Sequence, residues 1–249
     1  TFVYINADNY IANEPEFLRL LQVAEKAIVK KPDHTILIGV NPTYPEPGLG
    51  YIKMGKPVLE LRMKNEELRI KEDIVFEVER FVEKPDLETA KKFLHSWRYL
   101  WNPTLIVARV DHMLNLYKKH LPLMWKRLEL IARAINLPQE QTVINAEFPK
   151  IVAETIDYGI LEKEKNMLVL PGNFGWTDVG NWRAVQEILN GNKKSKIKNQ
   201  KANVCRAGKC VSVDSCGNMV YSLSGKLVAL AGVRNMILIE SENALLLCP

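Results

Sequence analysis

Apolar segments of strand length and of helical length alternate along the first forty residues of the chain. Thr1–Ile5 is a short apolar run that predicts a buried strand. Apolar residues then recur at helical spacing from Phe17 to Ile28, and Asn13 stands where a helix N-cap is expected. Thr35–Val40 is a second apolar strand. A strand, a helix and a strand joined this compactly predict parallel pairing of the two strands in an α/β sheet.

The same pattern continues to about residue 190. Residues 41–50 are rich in Pro and Gly and predict a loop, and residues 51–82 alternate enough for two or three strands. Asp86 is placed to cap a helix that buries Leu87, and Asp111 to cap a longer helix that breaks at Pro122. Two further strands and a helix are predicted at Leu105–Val110, Met167–Leu170 and Trp182–Leu189.

A change of pattern near residue 190 divides the chain into three parts. Residues 1–190 form the predicted α/β domain. Residues 191–203 are polar and basic without apolar periodicity, which favours a solvated linker over a phosphate-binding patch. From 204 to 249, short apolar runs alternate with turn sequences such as Ser215-Cys216-Gly217-Asn218, and this pattern predicts a small all-β segment.

Composition narrows the function classes. With 47% hydrophobic and 25% charged residues, the 249-residue chain is typical of a folded protein rather than a disordered one. The net charge of +5 suits an anionic small molecule but is too weak to indicate nucleic acid. No apolar run reaches the roughly 18 residues of a membrane span, so no membrane partner is expected.

The cysteines and histidines favour structural roles. All four cysteines follow residue 204, which favours a reducing compartment, the cytoplasm. The spacing of Cys205, Cys210 and Cys216 matches no common zinc site, so free thiols are expected. His112 and His120 share one face of a predicted helix, which favours a packed or solvated face over a metal pair.

Charged residues follow several predicted strands. Asp8 follows the first strand, Glu83 and Lys84 follow the strand that ends near residue 82, and Asp178 follows a Gly-containing turn. Ligands of open parallel sheets bind beyond the carboxyl ends of the strands. Two carboxylates, a lysine and a close-approach glycine such as Gly50 can together hold a divalent metal and a phosphate.

Three motifs, in this order, carry a resemblance to a known family. They are Phe81-Val82-Glu83-Lys84-Pro85-Asp86, Leu100-Trp101-Asn102, and Gly172-Asn173-Phe174-Gly175-Trp176-Thr177-Asp178-Val179-Gly180-Asn181-Trp182. They resemble the sugar-phosphate nucleotidyltransferases, most closely the branch that transfers a guanylyl group to mannose 1-phosphate. Weaker similarity at 6–9, 42–52, 155–163 and 214–249 extends the resemblance nearly end to end. It implies a Rossmann-like, GT-A-like mixed sheet with flanking helices, missing its first βα units, and a short C-terminal all-β segment.

The resemblance implies a role for each residue of the substrate site. Gly50 is similar to the glycine whose backbone approaches the sugar, and Glu83 to the acid that binds sugar hydroxyls. Lys84 is similar to the lysine near the sugar phosphate, and Asn102 to the asparagine that reads the sugar. The implied substrates are GTP and mannose 1-phosphate.

The resemblance also implies a metal and a reaction. Asp8 and Asp178 are similar to the two aspartates that hold Mg²⁺, and Lys84 and Asp178 are the implied catalytic residues. A phosphate oxygen of mannose 1-phosphate would attack the α-phosphorus of GTP in line, and pyrophosphate would leave. This phosphate is already ionised at neutral pH, so the reaction depends on positioning and charge neutralisation and needs no general base.

The sequence also departs from the family pattern. The family begins with a Gly-rich loop that holds the nucleotide triphosphate, and no such loop occurs in these residues. Pro47 and Leu49 replace a threonine and a tyrosine, and Pro103 and Thr104 stand where the family has a small residue and a glycine. Since Thr1 opens directly on a strand, we expect a fragment that does not turn over its substrates alone.

Some alternatives stay open on the sequence. Asp157 and Glu162 either contact the ligand or brace the pocket, and Trp176 and Trp182 either stack a base or, more in keeping with the family, pack the loop that carries Asp178. The chain is an enzyme, a non-catalytic sugar-nucleotide-binding or regulatory subunit, or a structural fragment. The sequence also leaves open the identity of sugar and base and whether the chain forms a homo-oligomer.

Overall fold

The structure is a computed structural model that describes residues 1–64, 70–191 and 203–249. The chain divides into two compact units, Thr1–Trp176 and Thr177–Pro249. The predicted linker, 191–203, lies almost wholly outside the described residues. The domain boundaries at 190 and 203 therefore stay predictions.

The first unit alternates strands and helices, as the apolar pattern predicts. Its strands are β1 (Phe2–Tyr4), β2 (Tyr10–Ile11), β3 (Thr35–Val40), β4 (Gly50–Lys64), β5 (Ile70–Val82), β6 (Tyr99–Asn102), β7 (Ile106–Ala108) and β8 (Met167–Gly172). Its helices are α1 (Glu14–Lys30), α2 (Leu87–Ser96), α3 (Val110–His120), α4 (Pro122–Ala134) and α5 (Glu140–Glu147). Two short turns of helix follow, a 3₁₀ turn at Phe148–Lys150 and a π-helical turn at Asp157–Leu161.

Seven of these strands, all but β2, form a mixed sheet in the order β1-β7-β3-β6-β4-β5-β8. β3 and β8 are parallel, and β4 pairs antiparallel with both β5 and β6. Because β8 pairs with β5 as well as with β3, the pairings close a circuit through β3, β6, β4, β5 and β8. The prediction of an α/β fold with a mixed sheet and flanking helices is confirmed.

The alternation of side chains in β3 shows where the core lies. Ile36, Ile38 and Val40 pack into one apolar cluster together with the buried face of α1. Leu37 points to the opposite face of the sheet and packs into a second cluster with Met113 of α3. Burial on both faces explains why β3 is a continuous apolar run rather than an alternating one.

Capping residues fix the ends of the helices that the sequence predicts. The Asn13 Oδ1 accepts a hydrogen bond from the Glu16 backbone N–H at 3.1 Å, so α1 begins where its cap predicts. Asp86 caps α2 in the same way, through the Thr89 N–H at 2.7 Å. The break at Pro122 is also confirmed, because α3 ends at His120 and α4 begins at Pro122.

Three local predictions are wrong. β1 is not buried: Val3 and Tyr4 are exposed, and β7 lies between β1 and β3, so these two strands run parallel without pairing directly. Leu87, the first residue of α2, is 47% exposed, and the helix buries Ala90 and Phe93 instead. Asp111 does not cap α3; Arg109 holds the N-cap position and donates to the Asp111 carboxylate at 2.7 Å.

The second unit opens on β9 (Trp176–Thr177), which crosses the division, and α6 (Trp182–Gly191). Its remaining strands are β10 (Val204–Arg206), β11 (Lys209–Val213), β12 (Met219–Ser222), β13 (Leu227–Ala231), β14 (Ile237–Glu240) and β15 (Leu245–Cys248). β10, β12 and β14 are parallel neighbours, and β11 pairs in parallel with β13. The prediction of a C-terminal segment made of short strands is confirmed.

A buried asparagine holds the parallel strands of the second unit in register. The Asn218 Nδ2 donates to the Asn203 Oδ1 and to the Val233 carbonyl, each at 2.9 Å. Its Oδ1 accepts from the Met236 backbone N–H at 2.9 Å. Asn218 therefore joins the segments that lead into β10 and β14 to the turn before β12.

The cysteines differ in part from expectation. Cys205 and Cys210 are paired as a disulfide between β10 and β11, whereas Cys216 and Cys248 are free. The prediction of free thiols is therefore wrong for the first two, which the short loop between their strands brings together. No helix in the described ranges is both long enough and apolar enough to cross a membrane.

Candidate functional site

Three neighbouring strands bring the predicted substrate residues together at one end of the sheet. Gly50 opens β4 opposite Asn102, the last residue of β6. The next residue, Tyr51, pairs with Val82, the last residue of β5. Glu83 follows directly, so the ends of β5 and β6 carry an acid and an amide on either side of the first residue of β4.

Gly50 is required by its neighbours. A Cβ atom at this position would overlap the Glu83 Oε2 and would lie 3.3 Å from the Phe81 ring and 3.4 Å from the Asn102 Cβ. Only glycine lets the Glu83 carboxylate lie across the backbone at this point. The close approach that the sequence predicts at Gly50 is therefore made, within the protein, by the Glu83 side chain.

Glu83 and Lys84 form a loose ion pair at the end of β5. The Lys84 Nζ lies 3.9 Å from the Glu83 Oε1, with the lysine side chain exposed and that of Glu83 only 12% exposed. Burial, with the nearby Asp157 charge, raises the pKa of Glu83 to about 7 although Lys84 opposes the shift. Lys84 has a left-handed backbone (φ 45°), which turns the chain sharply after the strand.

The amide of Asn102 is held by two neighbours. Its Nδ2 donates to the Asp157 Oδ1 at 3.0 Å, and its Oδ1 accepts from the Thr104 backbone N–H at 3.1 Å. Burial raises the pKa of Asp157, although the hydrogen bond from Asn102 opposes the shift. Asp157 therefore braces Asn102, which is one of the two roles that the sequence leaves open for it.

Aromatic residues support the loop between β3 and β4. Tyr44 packs edge-on against the buried Trp101, with ring centroids 4.9 Å apart, and Trp176 lies 6.3 Å from Trp101. The Trp176 Nε1 donates to the Asn9 Oδ1 at 3.0 Å. Trp176 thus has a packing role, and it fixes the turn that carries Asp8.

The two predicted metal ligands lie in different units. Asp8 is exposed in the turn after β1, and no ion pair to it is formed by the part of the chain that the structure describes. Asp178 is exposed in the second unit, and a Cβ at Gly180 would lie 3.0 Å from its Oδ2. Residues 1–64, 70–191 and 203–249 contain no cluster of three His, Cys, Asp or Glu side chains fit for a metal.

Trp182, at the start of α6, packs on Tyr221, with ring centroids 5.4 Å apart.

The conformation of Thr104 is a feature that sequence reasoning missed. It has a φ of 52°, the left-handed region that a glycine adopts readily and a β-branched residue does not. The signal was present in the sequence, since Thr104 stands where the resembled family has glycine. The chain keeps the glycine-like backbone and adds a side chain to it.

Comparison with known proteins shows the family of the chain. Residues 1–195 match the family described as Nucleotidyl transferase. The chain belongs to this nucleotidyl transferase family, in agreement with its fold and with the order of its motifs.

Individual relatives carry names that are more specific than the description of the family. The chain is 30% identical to a mannose-1-phosphate guanylyltransferase of Salmonella montevideo, over 96% of this chain and 47% of that protein. It is 29% identical to the mannose-1-phosphate guanylyltransferase of Escherichia coli K12, over 97% of this chain and 46% of that protein. The chain thus spans about half the length of the curated relatives it matches.

Solved structures agree on the fold. A crystal structure from Thermus thermophilus, described as mannose-1-phosphate geranyltransferase, superposes with a TM-score of 0.73 at 25% identity, over 99% of this chain and 64% of that one. A mannose-6-phosphate isomerase from Helicobacter pylori superposes with a TM-score of 0.54 at 19% identity, over 71% of this chain and 63% of that one, which speaks for the fold alone.

Proposed function

We propose that the chain is the sugar-phosphate and metal-binding part of a mannose-1-phosphate guanylyltransferase, which makes GDP-mannose and pyrophosphate from GTP and mannose 1-phosphate. The observation that carries the proposal is the convergence of Gly50, Glu83 and Asn102 at the ends of three paired strands. The relatives named for this activity match nearly the whole chain and support it.

The charges at the end of β5 suit a hexose phosphate. Glu83 is a half-buried acceptor next to an exposed lysine, so hydroxyl donors and a phosphate find complementary partners side by side. In the proposed reaction a phosphate oxygen of the sugar phosphate forms a bond to the α-phosphorus of GTP, and the bond to the leaving pyrophosphate breaks. Lys84 neutralises phosphate charge in this arrangement.

The donor chemistry of Asp8 and Asp178 fits Mg²⁺. Mg²⁺ prefers hard oxygen ligands and is usually held by one or two carboxylates together with substrate phosphates. We propose Asp8 and Asp178 as these carboxylates. When bound, the metal would supply charge neutralisation at the phosphate oxygens.

Calorimetry with GDP-mannose and Mg²⁺ tests the proposal. We expect the 249-residue chain to bind GDP-mannose and the Asp178→Asn variant to bind it at least tenfold more weakly, because the variant loses one anionic metal ligand. No binding to either GDP-mannose or mannose 1-phosphate would contradict the proposal. Mixed with GTP, mannose 1-phosphate and Mg²⁺, the 249 residues alone should release no pyrophosphate, since the sequence contains no Gly-rich triphosphate loop.

A non-catalytic sugar-nucleotide-binding subunit is the second candidate. It is favoured by Thr104, whose side chain stands where the resembled family has a glycine beside Asn102. The longest natural chain that contains these residues separates the two candidates. Pyrophosphate release by that chain supports the enzyme, whereas GDP-mannose binding without release supports the subunit. Homo-oligomer formation and a cytoplasmic location stay predictions.

A further inference from the structure

Cys205 and Cys210, which are bonded as a disulfide, stand on either side of one tight turn in the second unit. Cys205 lies in β10 and Cys210 in β11, and their Cα atoms are 6.3 Å apart. This separation is within the range that a disulfide spans without movement of the backbone. The bond also joins two sheets, because β10 pairs with β12 and β11 pairs with β13.

The turn between the two cysteines has supporting contacts other than the bond. Ala207 has a left-handed backbone (φ 56°), and a Cβ at Gly208 would lie 3.2 Å from the backbone oxygen of Ser222 in β12. The Cys205 Sγ lies 3.5 Å from the Gly208 carbonyl oxygen, which can accept the hydrogen of a reduced thiol. Because these contacts hold the turn in shape, the two sulfurs stay neighbours when the bond is broken and are placed to form it again.

Exposure and sequence separation both favour a bond that forms and breaks. The two cysteines are partly exposed, and exposed disulfides are reduced more readily than buried structural ones. They are only five positions apart, so the bond constrains the unfolded chain less than a long-range bond would. The cysteine distribution predicts a reducing compartment, where disulfides are usually transient and serve catalysis or redox sensing.

The charged side chains of the turn select the redox partner. Arg206 follows Cys205 directly, Lys209 precedes Cys210 directly, and both side chains are exposed. No acidic residue stands between the two cysteines in the sequence. Two cations beside the sulfurs attract an anionic reagent by electrostatic steering. The reagent that fits is a small disulfide that carries carboxylates.

We propose that Cys205 and Cys210 are a reversible thiol–disulfide pair that exchanges with small anionic disulfides, and that the bond locks the corner between β10 and β11. The pair lies in the second unit and takes no part in the proposed guanylyl transfer.

The exchange proceeds in two displacements. One cysteine thiolate attacks the small disulfide, forms a mixed disulfide with one half of it and releases the other half as a thiolate. The second cysteine thiolate then attacks the protein sulfur of the mixed disulfide, which forms the bond between Cys205 and Cys210 and releases the remaining half. The small disulfide gains the two electrons that the cysteines lose, and the two thiol protons pass to the released thiolates. Reduction of the pair is the same sequence in reverse.

Mixtures of reduced and oxidised glutathione test the exchange on the 249-residue chain. Alkylation of the remaining thiols and peptide mass spectrometry measure the bonded fraction. We expect the pair to be half oxidised at a concentration of oxidised glutathione at least tenfold lower than that which modifies half of Cys216, because its two sulfurs are held together. Cys216 is the internal control, since it is free and also partly exposed. A pair that stays reduced in oxidised glutathione, or a bond that reduced glutathione leaves intact, overturns the proposal.

The preference for an anionic partner is tested with two reagents of opposite charge. The double variant Arg206→Gln/Lys209→Gln should be oxidised by glutathione at least threefold more slowly than the wild type, because steering of the carboxylates is lost. Its rate with cystamine, a small cationic disulfide, should not fall. Equal slowing with both reagents would contradict the charge preference.

Hydrogen exchange of the oxidised and reduced wild type tests the lock. Backbone amides of β10 and β11 should exchange at least threefold more slowly in the oxidised form, because the bond restricts local opening of the corner. The amides of α1, in the first unit, are the control and should exchange equally in the two forms. Equal exchange of β10 and β11 in both forms would show that the bond does not lock the corner.

Discussion

Two acidic sites at opposite ends of β3, one buried and one partly buried, have opposite electrostatics. At the start of β3 and β8, Glu164 is 2% exposed and accepts from Lys119 at 2.8 Å, from His120 at 2.9 Å and from the Asn166 backbone N–H at 2.8 Å. Burial alone would raise the pKa of Glu164, but these hydrogen bonds outweigh it and lower the pKa to about 2.

At the other end of β3, Glu83 and Asp157 are only partly buried, and they have fewer hydrogen-bond donors than Glu164. Burial raises the pKa of both carboxyl groups, and that of Glu83 reaches about 7. A carboxyl group with its donors built in stabilises the fold, whereas one without them is costly to ionise. The difference supports the proposal that a ligand's own donors complete the hydrogen bonding at the Glu83 end.

The largest effect is expected at the satisfied acid. Glu164→Ala should lower the free energy of unfolding by about 3 kcal/mol at neutral pH, because a pKa lowered from 4.5 to about 2 corresponds to that much stabilisation of the ionised form. Urea unfolding measures it. The wild type should lose this contribution as pH falls from about 4.5 to about 2, and the variant should not. Equal acid sensitivity of the two proteins would contradict the account, with Glu162→Gln as the exposed-carboxylate control.

A smaller loss is expected from crowding the Glu83 carboxylate. Gly50→Ala should cost about 1–2 kcal/mol, because the new methyl group displaces Glu83 and approaches Phe81. The double variant Gly50→Ala/Glu83→Ala should recover part of this cost, since it removes the overlapping side chain. Additive losses in urea unfolding would show that the overlap is not the cause.

Glu83→Gln should have the opposite sign to the change at Glu164. Its folded-state pKa of about 7 lies above the ordinary value, so the fold loses stability progressively as pH rises from about 4.5 to about 7. The penalty is complete above about pH 7 and absent below about pH 4.5. We expect the variant to be more stable than the wild type by about 1 kcal/mol near pH 8, a figure reduced for solvent screening of a half-buried group, and equal to it near pH 4.5. If the variant is less stable than the wild type near pH 8, the electrostatic contrast between Glu83 and Glu164 at the two ends of β3 is contradicted.

The smallest effect is expected at Thr104. Thr104→Gly should stabilise the chain by about 0.5–1 kcal/mol, because it relieves a β-branched residue of its left-handed backbone. Thr104→Ala, which keeps a Cβ, serves as the control and should gain less. A melting temperature lowered by the glycine variant would show that packing of the Thr104 side chain outweighs the strain.

The sequence predicts local structure better than the environment of charged groups. Helical spacing and the caps Asn13 and Asp86 locate α1 and α2, because both signals act within a few residues. The exposure of β1 could not be read from its apolar residues, since it depends on β7 being inserted between β1 and β3.

The same contrast between local signals and distant contacts holds for the candidate site. Motif order indicated Gly50, Glu83 and Asn102, and the paired strands bring all three together. The hydrogen bond between Asn102 and Asp157 joins residues 55 positions apart in sequence, and no local pattern encodes it. Threonine itself does not favour the left-handed backbone of Thr104, so the only signal for it is the glycine that the resembled family has at this position.

The most direct test of the central claim is to titrate mannose 1-phosphate into three proteins at one temperature where all are folded: wild type, Glu83→Gln and Glu164→Gln. Each substitution removes one carboxylate, and the two carboxylates lie near opposite ends of β3. We expect that Glu83→Gln loses at least tenfold in affinity and that Glu164→Gln binds within twofold of the wild type. Equal loss in both variants, or loss only in Glu164→Gln, would contradict it.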